Sequence, residues 1–177
     1  CVALSKEGHF MDCCYFSKLE LFNALKHSGD CIDGSIEGDD ELITVKLKFL
    51  PEDVQVLMFV VTSFGGDAFS RVRTATSNVR DNQGKLLYKF PLFVESEPQA
   101  TARLMVRLHR ASNGLDWQLT ALGNAFRGRC FADLVPELQG CCRDIIPGIV
   151  PLPCPPNVVL RKGESVPLTE KAVNSRI

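Results

Sequence analysis

The sequence predicts an all-β fold: an antiparallel two-sheet β-sandwich with a short C-terminal helix and an extended proline-rich tail. Three observations carry this. The middle of the chain is a series of short apolar or alternating runs. Tight-turn residues, not helix-length periodic segments, separate them. Six of the ten prolines then fall between Pro147 and Pro167, where no core-forming pattern remains.

The elements follow in order. Residues 19–26 are a helix candidate. Ile43, Val45, Leu47 and Phe49 alternate with Thr44, Lys46 and Lys48, the pattern of a half-buried strand over 43–49. Pro51, Glu52 and Asp53 make a turn. The run VQVLMFVVT (54–62) is apolar on both faces and predicts a central strand. SFGGD (63–67) is a loop. Residues 71–80 and 85–90 flank Asp81-Asn82-Gln83-Gly84, a hairpin signal. In TARLMVRLHR (101–110), Ala102, Leu104, Val106 and Leu108 are expected on one face and Arg103, Met105, Arg107 and His109 on the other. Asn113-Gly114 turns the chain into a strand over 117–121. Phe131, Leu134, Val135 and Leu138 space as a helix over 131–142, with Pro136 inside it. The organisation is a sandwich domain over 1–140 and an arm over 141–177. Within the arm Pro151, Pro153, Pro155 and Pro156 are the candidate partner-binding residues of a polyproline-like segment.

Composition bounds the function. The chain has 177 residues, enough for one domain with a sizeable core. Its net charge of −1 gives no footprint for nucleic acid, and no apolar run is long enough to span a membrane. The N-terminal CVALSKEGHF lacks the basic and apolar regions of a signal peptide, and the missing Met suggests a processed product or part of a longer chain. The eight cysteines show no C-x-x-C spacing, which argues against zinc and a thioredoxin-like pair. They read mostly as buried free thiols in a reducing, cytoplasmic compartment. His9, His27 and His109 have no metal-ligand spacing, and His27 beside Ser28 reads as structural. No nucleophile–base pair or cofactor loop is visible, so no enzymatic activity is expected. Arg103, Arg107 and His109, with Arg71 and Arg73, could form a basic stripe, read here as a solvated sheet face.

The sharpest chemical signal is acidic. Asp30, Asp33, Glu37, Asp39, Asp40 and Glu41 crowd into twelve positions, and Gly29, Gly34 and Gly38 let that stretch curl. Like charges this dense repel, so a folded chain holds them with a cation or exposes them as a solvated turn. Calcium takes six to eight oxygens at roughly 2.3–2.6 Å, which such a loop can aim at one point. The EF-hand pattern is excluded. Started at Asp30, its twelfth residue is Glu41, but its third, fifth and sixth are Ile32, Gly34 and Ser35. Any metal site here stands on a β framework.

HSGDCIDGSIEGDDELITVKL, followed by PEDVQVLMFVVTSF, resembles the core of the TerD domain, the tellurium-resistance and stress-response family. AFSRVRTA, TARLMVRLHRASNGLDWQLTALG and GRCFADLVP extend the resemblance from about Cys1 to about Pro136. It implies a two-sheet β-sandwich that binds calcium through the acidic loop and has no enzymatic activity. Asp30, Asp39, Asp40 and Glu41 fall on the family's acids, with Asp33 and Glu37 as helpers and backbone carbonyls around Gly34 and Ile36 completing the shell. The chain departs from the family pattern at Cys31, Asp33 and Ile36, and the Asp-Leu-Asp strand with which relatives begin is not in this sequence. The alternative is therefore a structural scaffold subunit that keeps the fold, has lost its metal, and docks through its C-terminal arm.

Overall fold

A computed structural model describes residues 1–30, 39–72 and 74–155. Among the described residues ten strands and one α-helix follow in order: β1 (Val2–Ser5), β2 (Phe10–Cys13), β3 (Glu20–Leu21), β4 (Leu25–His27), β5 (Ile43–Val45), β6 (Val54–Thr62), β7 (Thr76–Arg80), β8 (Leu86–Pro91), β9 (Ala102–Arg110), β10 (Trp117–Phe126) and α1 (Phe131–Gly140). A five-stranded sheet runs β10-β9-β6-β1-β2, a three-stranded sheet β3-β4-β5, and β7 and β8 form a separate hairpin. Every strand pairing is antiparallel.

The doubly apolar run over 54–62 becomes β6, with β1 and β9 as its neighbours. Both faces of this sheet are covered, which is why the sequence there shows no polar alternation. On one face Val2, Leu4, Val56, Met58, Ala102 and Leu104 pack with Leu134 and Leu138 of α1 and with Cys142 and Ile149 beyond it. On the other, Ala3, Val54 and Leu57 pack against Leu21, Ala24 and Leu25 of the small sheet and against Leu50. The two sheets form the sandwich, and the helix seals its outer side.

Four expectations change. Residues 19–26 are a hairpin, not a helix: Phe22 and Asn23 both take φ +56°, and the Ala24 N–H returns to the Leu21 carbonyl at 3.0 Å. Two consecutive left-handed residues match the twist of a tight hairpin and end any helix. The strand over 43–49 stops at Val45, and Leu47–Phe49 form one turn of 3-10 helix. The start of the segment at 71 is likewise a 3-10 turn, Phe69–Arg71, before β7 begins at Thr76.

The fourth change concerns β9. Val106 pairs with Phe59 of β6 and Leu104 with Val60, so Met105 is an extra residue. On the other side Ala121 pairs with Val106 and Asn124 with Leu104, so Leu122 and Gly123 together face the single Met105, with Gly123 at φ +74°. A bulge slips the period-two pattern by one and exchanges the faces. Ala102 and Leu104 therefore join the helix-side core, while Leu108 turns to the small sheet. The expected basic stripe does not exist as a solvated face. Arg103, Arg107 and His109 are buried. Arg71 is exposed and paired with Asp67 at 2.7 Å, and Arg73 lies outside the described residues.

The buried arginines act as internal fasteners. Arg103 donates to the Leu92 and Gly123 carbonyls at 3.0 and 2.6 Å and to Glu97 at 2.8 Å. Arg107 donates both Nη groups to Asp144 at 2.6 Å and one of them to the Cys141 carbonyl at 2.7 Å. Asp144 thereby holds the turn after α1 against the sheet, and Cys142 and Ile149 complete the core there.

Candidate metal site on the loop between β4 and β5

Strands β4 and β5 pair directly, His27 opposite Ile43. The base of their connection is fastened by two bonds. The Ser28 N–H donates to the Leu42 carbonyl, and the Leu42 N–H donates to Ser28 Oγ, both at 2.9 Å. This brings the two acidic legs, Asp30 on one side and Asp39, Asp40 and Glu41 on the other, back to one end of the small sheet.

The electrostatics show which acids meet. The Glu41 carboxyl is raised above its usual value of 4.5 by partial desolvation, then by the charge of Asp30 and a hydrogen bond shared with it, then by Asp40. Glu41 therefore feels Asp30 as a direct hydrogen-bond neighbour and Asp40 as a weaker charge. Two carboxyls that share a hydrogen bond need a proton or a cation between them.

Asp39 leans the other way. Its Oδ1 accepts from Asn78 Nδ2 at 3.3 Å, and its Oδ2 lies 3.9 Å from Arg80 Nε, both on β7. Asp33 and Glu37, with Gly34 and Ile36, lie outside the described residues. Among the described residues no group of three or more His, Cys, Asp or Glu is arranged to hold a metal ion by itself.

His27 lies beside Glu41. It is 5% exposed, and its Nδ1 accepts the Gly29 N–H at 3.0 Å, which places the ring proton on Nε2, 3.8 Å from Glu41 Oε2. Burial, and then the charge of the N-terminal amine, lower its pKa against the opposing pull of Asp30. A neutral ring whose Nδ1 is taken by the Gly29 N–H agrees with the structural reading of His27. The donor set fits a hard cation: oxygens only, anionic, on a Gly-rich loop. Sequence reasoning missed Asn78 and Arg80. Nothing in a hairpin far along the chain signals that it will lean on the acidic loop.

The proline segment begins on the helix. The Leu152 N–H donates to Gln139 Oε1 at 2.7 Å, and Gln139 Nε2 donates to the Gly8 carbonyl at 2.8 Å. Pro151 is half-buried, Pro153 and Pro155 are exposed, and Pro156 lies outside the described residues. The seven described cysteines are free. Cys1, Cys13, Cys14 and Cys142 are buried, and Cys130, Cys141 and Cys154 are half-buried. Among the described residues no helix is long and apolar enough to cross a membrane.

An antiparallel sandwich sealed by a C-terminal helix, with an acidic Gly-rich loop at one end of its small sheet, defines a TerD domain. The TerD domain model matches residues 3–137, and the chain belongs to that family. In particular, it is similar to the "Tellurium resistance protein TerZ" of Serratia marcescens, with 39% identity over 135 residues, covering 76% of this chain and 68% of the relative. It is also similar to "General stress protein 16U" of Bacillus subtilis (strain 168), with 31% identity over 123 residues, covering 66% of this chain and 62% of the relative. These matches span about two thirds of each relative's length. The fold is similar to the crystal structure of a homologue of telluride resistance protein (TerD) from Streptomyces coelicolor A3(2). That likeness has a TM-score of 0.67 at 18% identity and covers 78% of this chain and 82% of that one.

Proposed function

We propose that the chain is a non-enzymatic calcium-binding module that works in a stress response by binding or sensing. The observation that carries this is the Glu41 carboxyl, pushed up beside Asp30 and Asp40 on a loop whose base is fastened shut. A bound divalent cation removes that repulsion, so occupancy couples directly to the stability of the loop. Asp30, Asp40 and Glu41 would supply carboxylate oxygens. Asp39 would join them, and Asp33, Glu37 and the carbonyls of Gly34 and Ile36 would complete the shell. The relatives named for stress and tellurium resistance support the physiological setting. The seven free thiols among the described residues fit a reducing compartment such as the cytoplasm.

Thermal melts and calorimetry with added calcium or with chelator test the reading. Calcium should raise the melting temperature, and Asp30→Asn with Glu41→Gln should abolish that rise. A melting curve indifferent to both additions removes the calcium reading.

One observation favours the scaffold alternative: Asp39 already has a cation and an amide from β7 as partners. In that reading Asn78 and Arg80 replace part of the metal's work, and protein contacts run through the C-terminal arm. Arg80→Ala separates the two. It frees Asp39 and strengthens calcium binding if the site is live, and it only destabilises the loop if the metal has been lost.

A further inference from the structure

We propose that the open edge of the five-stranded sheet pairs with the same edge of a second copy of this chain, β10 against β10, centred on Leu119. The inference is independent of the calcium reading and uses none of its residues. The order β10-β9-β6-β1-β2 leaves the sheet two edges, and they are built differently. β2 has only four residues and carries Asp12. The Cys14 N–H donates to the Cys1 carbonyl at 2.9 Å, so by the antiparallel alternation the N–H of Cys13, opposite Val2, points away from β1. Asp12 Oδ1 accepts that N–H at 2.8 Å. This edge is short, charged and capped, and each of these guards a strand against edge-to-edge pairing.

β10 has none of these guards. It runs for ten residues, WQLTALGNAF, without Asp, Glu, Lys, Arg or Pro. The Ala111 N–H donates to the Asp116 carbonyl at 2.8 Å, which makes these two a bonded pair at the mouth of the hairpin. The alternation then bonds Gln118 to His109 and Thr120 to Arg107. It turns the N–H and C=O of Trp117, Leu119 and Ala121 away from β9. Among the described residues no strand lies on that side. Beyond Ala121 the bulge interrupts the pattern, and Arg103 takes the Gly123 carbonyl at 2.6 Å. The open stretch is therefore 117–121, with Leu119 at its midpoint.

That stretch is complementary to itself. Two antiparallel copies related by a two-fold axis at Leu119 set Leu119 opposite Leu119 and Trp117 opposite Ala121. Every outward N–H then meets an outward C=O, about six new backbone bonds in all. Leu119 pairs with Leu108 in its own chain, so it shares the small-sheet face with Leu108 and Trp117. Trp117 and Leu119 are half-buried in the single chain, and the second copy gives each an apolar neighbour on its open side. No charge on the strand meets its own kind across the axis. The same lack of charge favours a second copy over an acidic or basic segment, which would find no counter-charge here. Pairing joins the two five-stranded sheets into one and keeps helix side with helix side. An edge contact of this kind is small, below about 1,200 Å², so the association is reversible.

The test follows the full chain by sedimentation equilibrium and by amide hydrogen exchange, from the low micromolar to the millimolar range. The mass should climb with concentration from 19.6 kDa toward twice that value. Where about nine-tenths of the chain is paired, exchange at the Trp117, Leu119 and Ala121 amides should slow about tenfold, since only the unpaired remainder opens them to water. The Gln118 and Thr120 amides, bonded to β9, should already be protected in the dilute chain. Ala121→Pro removes an outward N–H and no bond to β9, so it should melt near the parent and keep the mass of one copy. Ala121→Lys, at an exposed position, keeps that N–H and sets a cation opposite Trp117 of the second copy, whose ring already carries Arg110 at 4.6 Å. It should weaken pairing about tenfold or more, and it reports even if the proline variant fails to fold. A parent that keeps the mass of one copy throughout, association that leaves the three outward amides exchanging freely, or a folded Ala121→Pro that pairs as tightly as the parent would each overturn the proposal.

Discussion

Glu41 sets the pH behaviour of the acidic end. Its folded pKa lies above its usual 4.5, first through partial desolvation and then through Asp30 and Asp40. The folded chain therefore holds this proton more tightly than the unfolded chain. In calcium-free solution stability is greater below the ordinary carboxylate range and is lost as pH rises through the raised folded pKa. Glu41→Gln should flatten that loss, which melting temperatures recorded from mildly acidic to neutral pH will show. Added calcium should reverse the slope in the parent and leave the variant unmoved. His27 acts in the opposite sense. Its folded pKa is lowered by burial, so its contribution is present above the usual 6.5 and fades as pH falls below it. A calcium-free chain is thus squeezed from both sides, by Glu41 above the acidic range and by His27 below neutrality.

Two elements show where local pattern met its limit. The run over 54–62 was legible because a strand covered on both faces has one signature, continuous apolarity. The strand over 101–110 was legible as a strand but not in its facing, because a bulge at Met105 leaves no trace in a period-two pattern. The only hint was Gly123 across the ladder, where φ is +74°. Gly123→Ala should cost about 1 kcal/mol, because a Cβ is disfavoured at positive φ, and a lower urea midpoint with unchanged slope will report it. The hairpin over 19–26 was misread for a related reason. Apolar Leu19, Leu21, Phe22 and Leu25 mimic helical spacing, and only the left-handed backbone at Phe22 and Asn23 decides against it. The Arg107–Asp144 pair was invisible in sequence because its members lie far apart and Arg107 sat on the expected solvent face. Asp144→Asn should destabilise by about 1–2 kcal/mol, the scale of a hydrogen bond to a buried charge whose partner is partly solvated. The Arg107 hydrogen bonds hold the Asp144 pKa below its usual 3.8, so the parent loses this stability as pH falls through the acid range. The variant should lack that step.

At the scale of the whole molecule, the family match ends at residue 137 but the core does not. Cys142 is fully buried and Ile149 is 6% exposed, and both pack on Leu4, Val56, Met58 and Leu138's neighbours in the helix-side core. Asp144 between them pairs with both Nη groups of Arg107, which is almost wholly inside the protein. A chain ending at Gly140 would expose that core face, strip a buried guanidinium of its carboxylate, and free Gln139 from Leu152. Losing the buried Ile149 side chain alone costs roughly 1.5–3 kcal/mol. Removing one partner of a buried charge pair adds roughly 3–5 kcal/mol at full burial, and less here because Asp144 is exposed. Together these approach the roughly 5–15 kcal/mol that holds an ordinary domain folded. A chain ending at Gly140 should therefore melt far below the parent or fail to unfold cooperatively. A chain ending at Pro155 keeps all three contacts and should melt close to the parent. Calorimetry on the two truncations decides the point: equal melting temperatures would mean that the segment over 141–149 is an appendage, and that α1 alone is sufficient to seal the sheet.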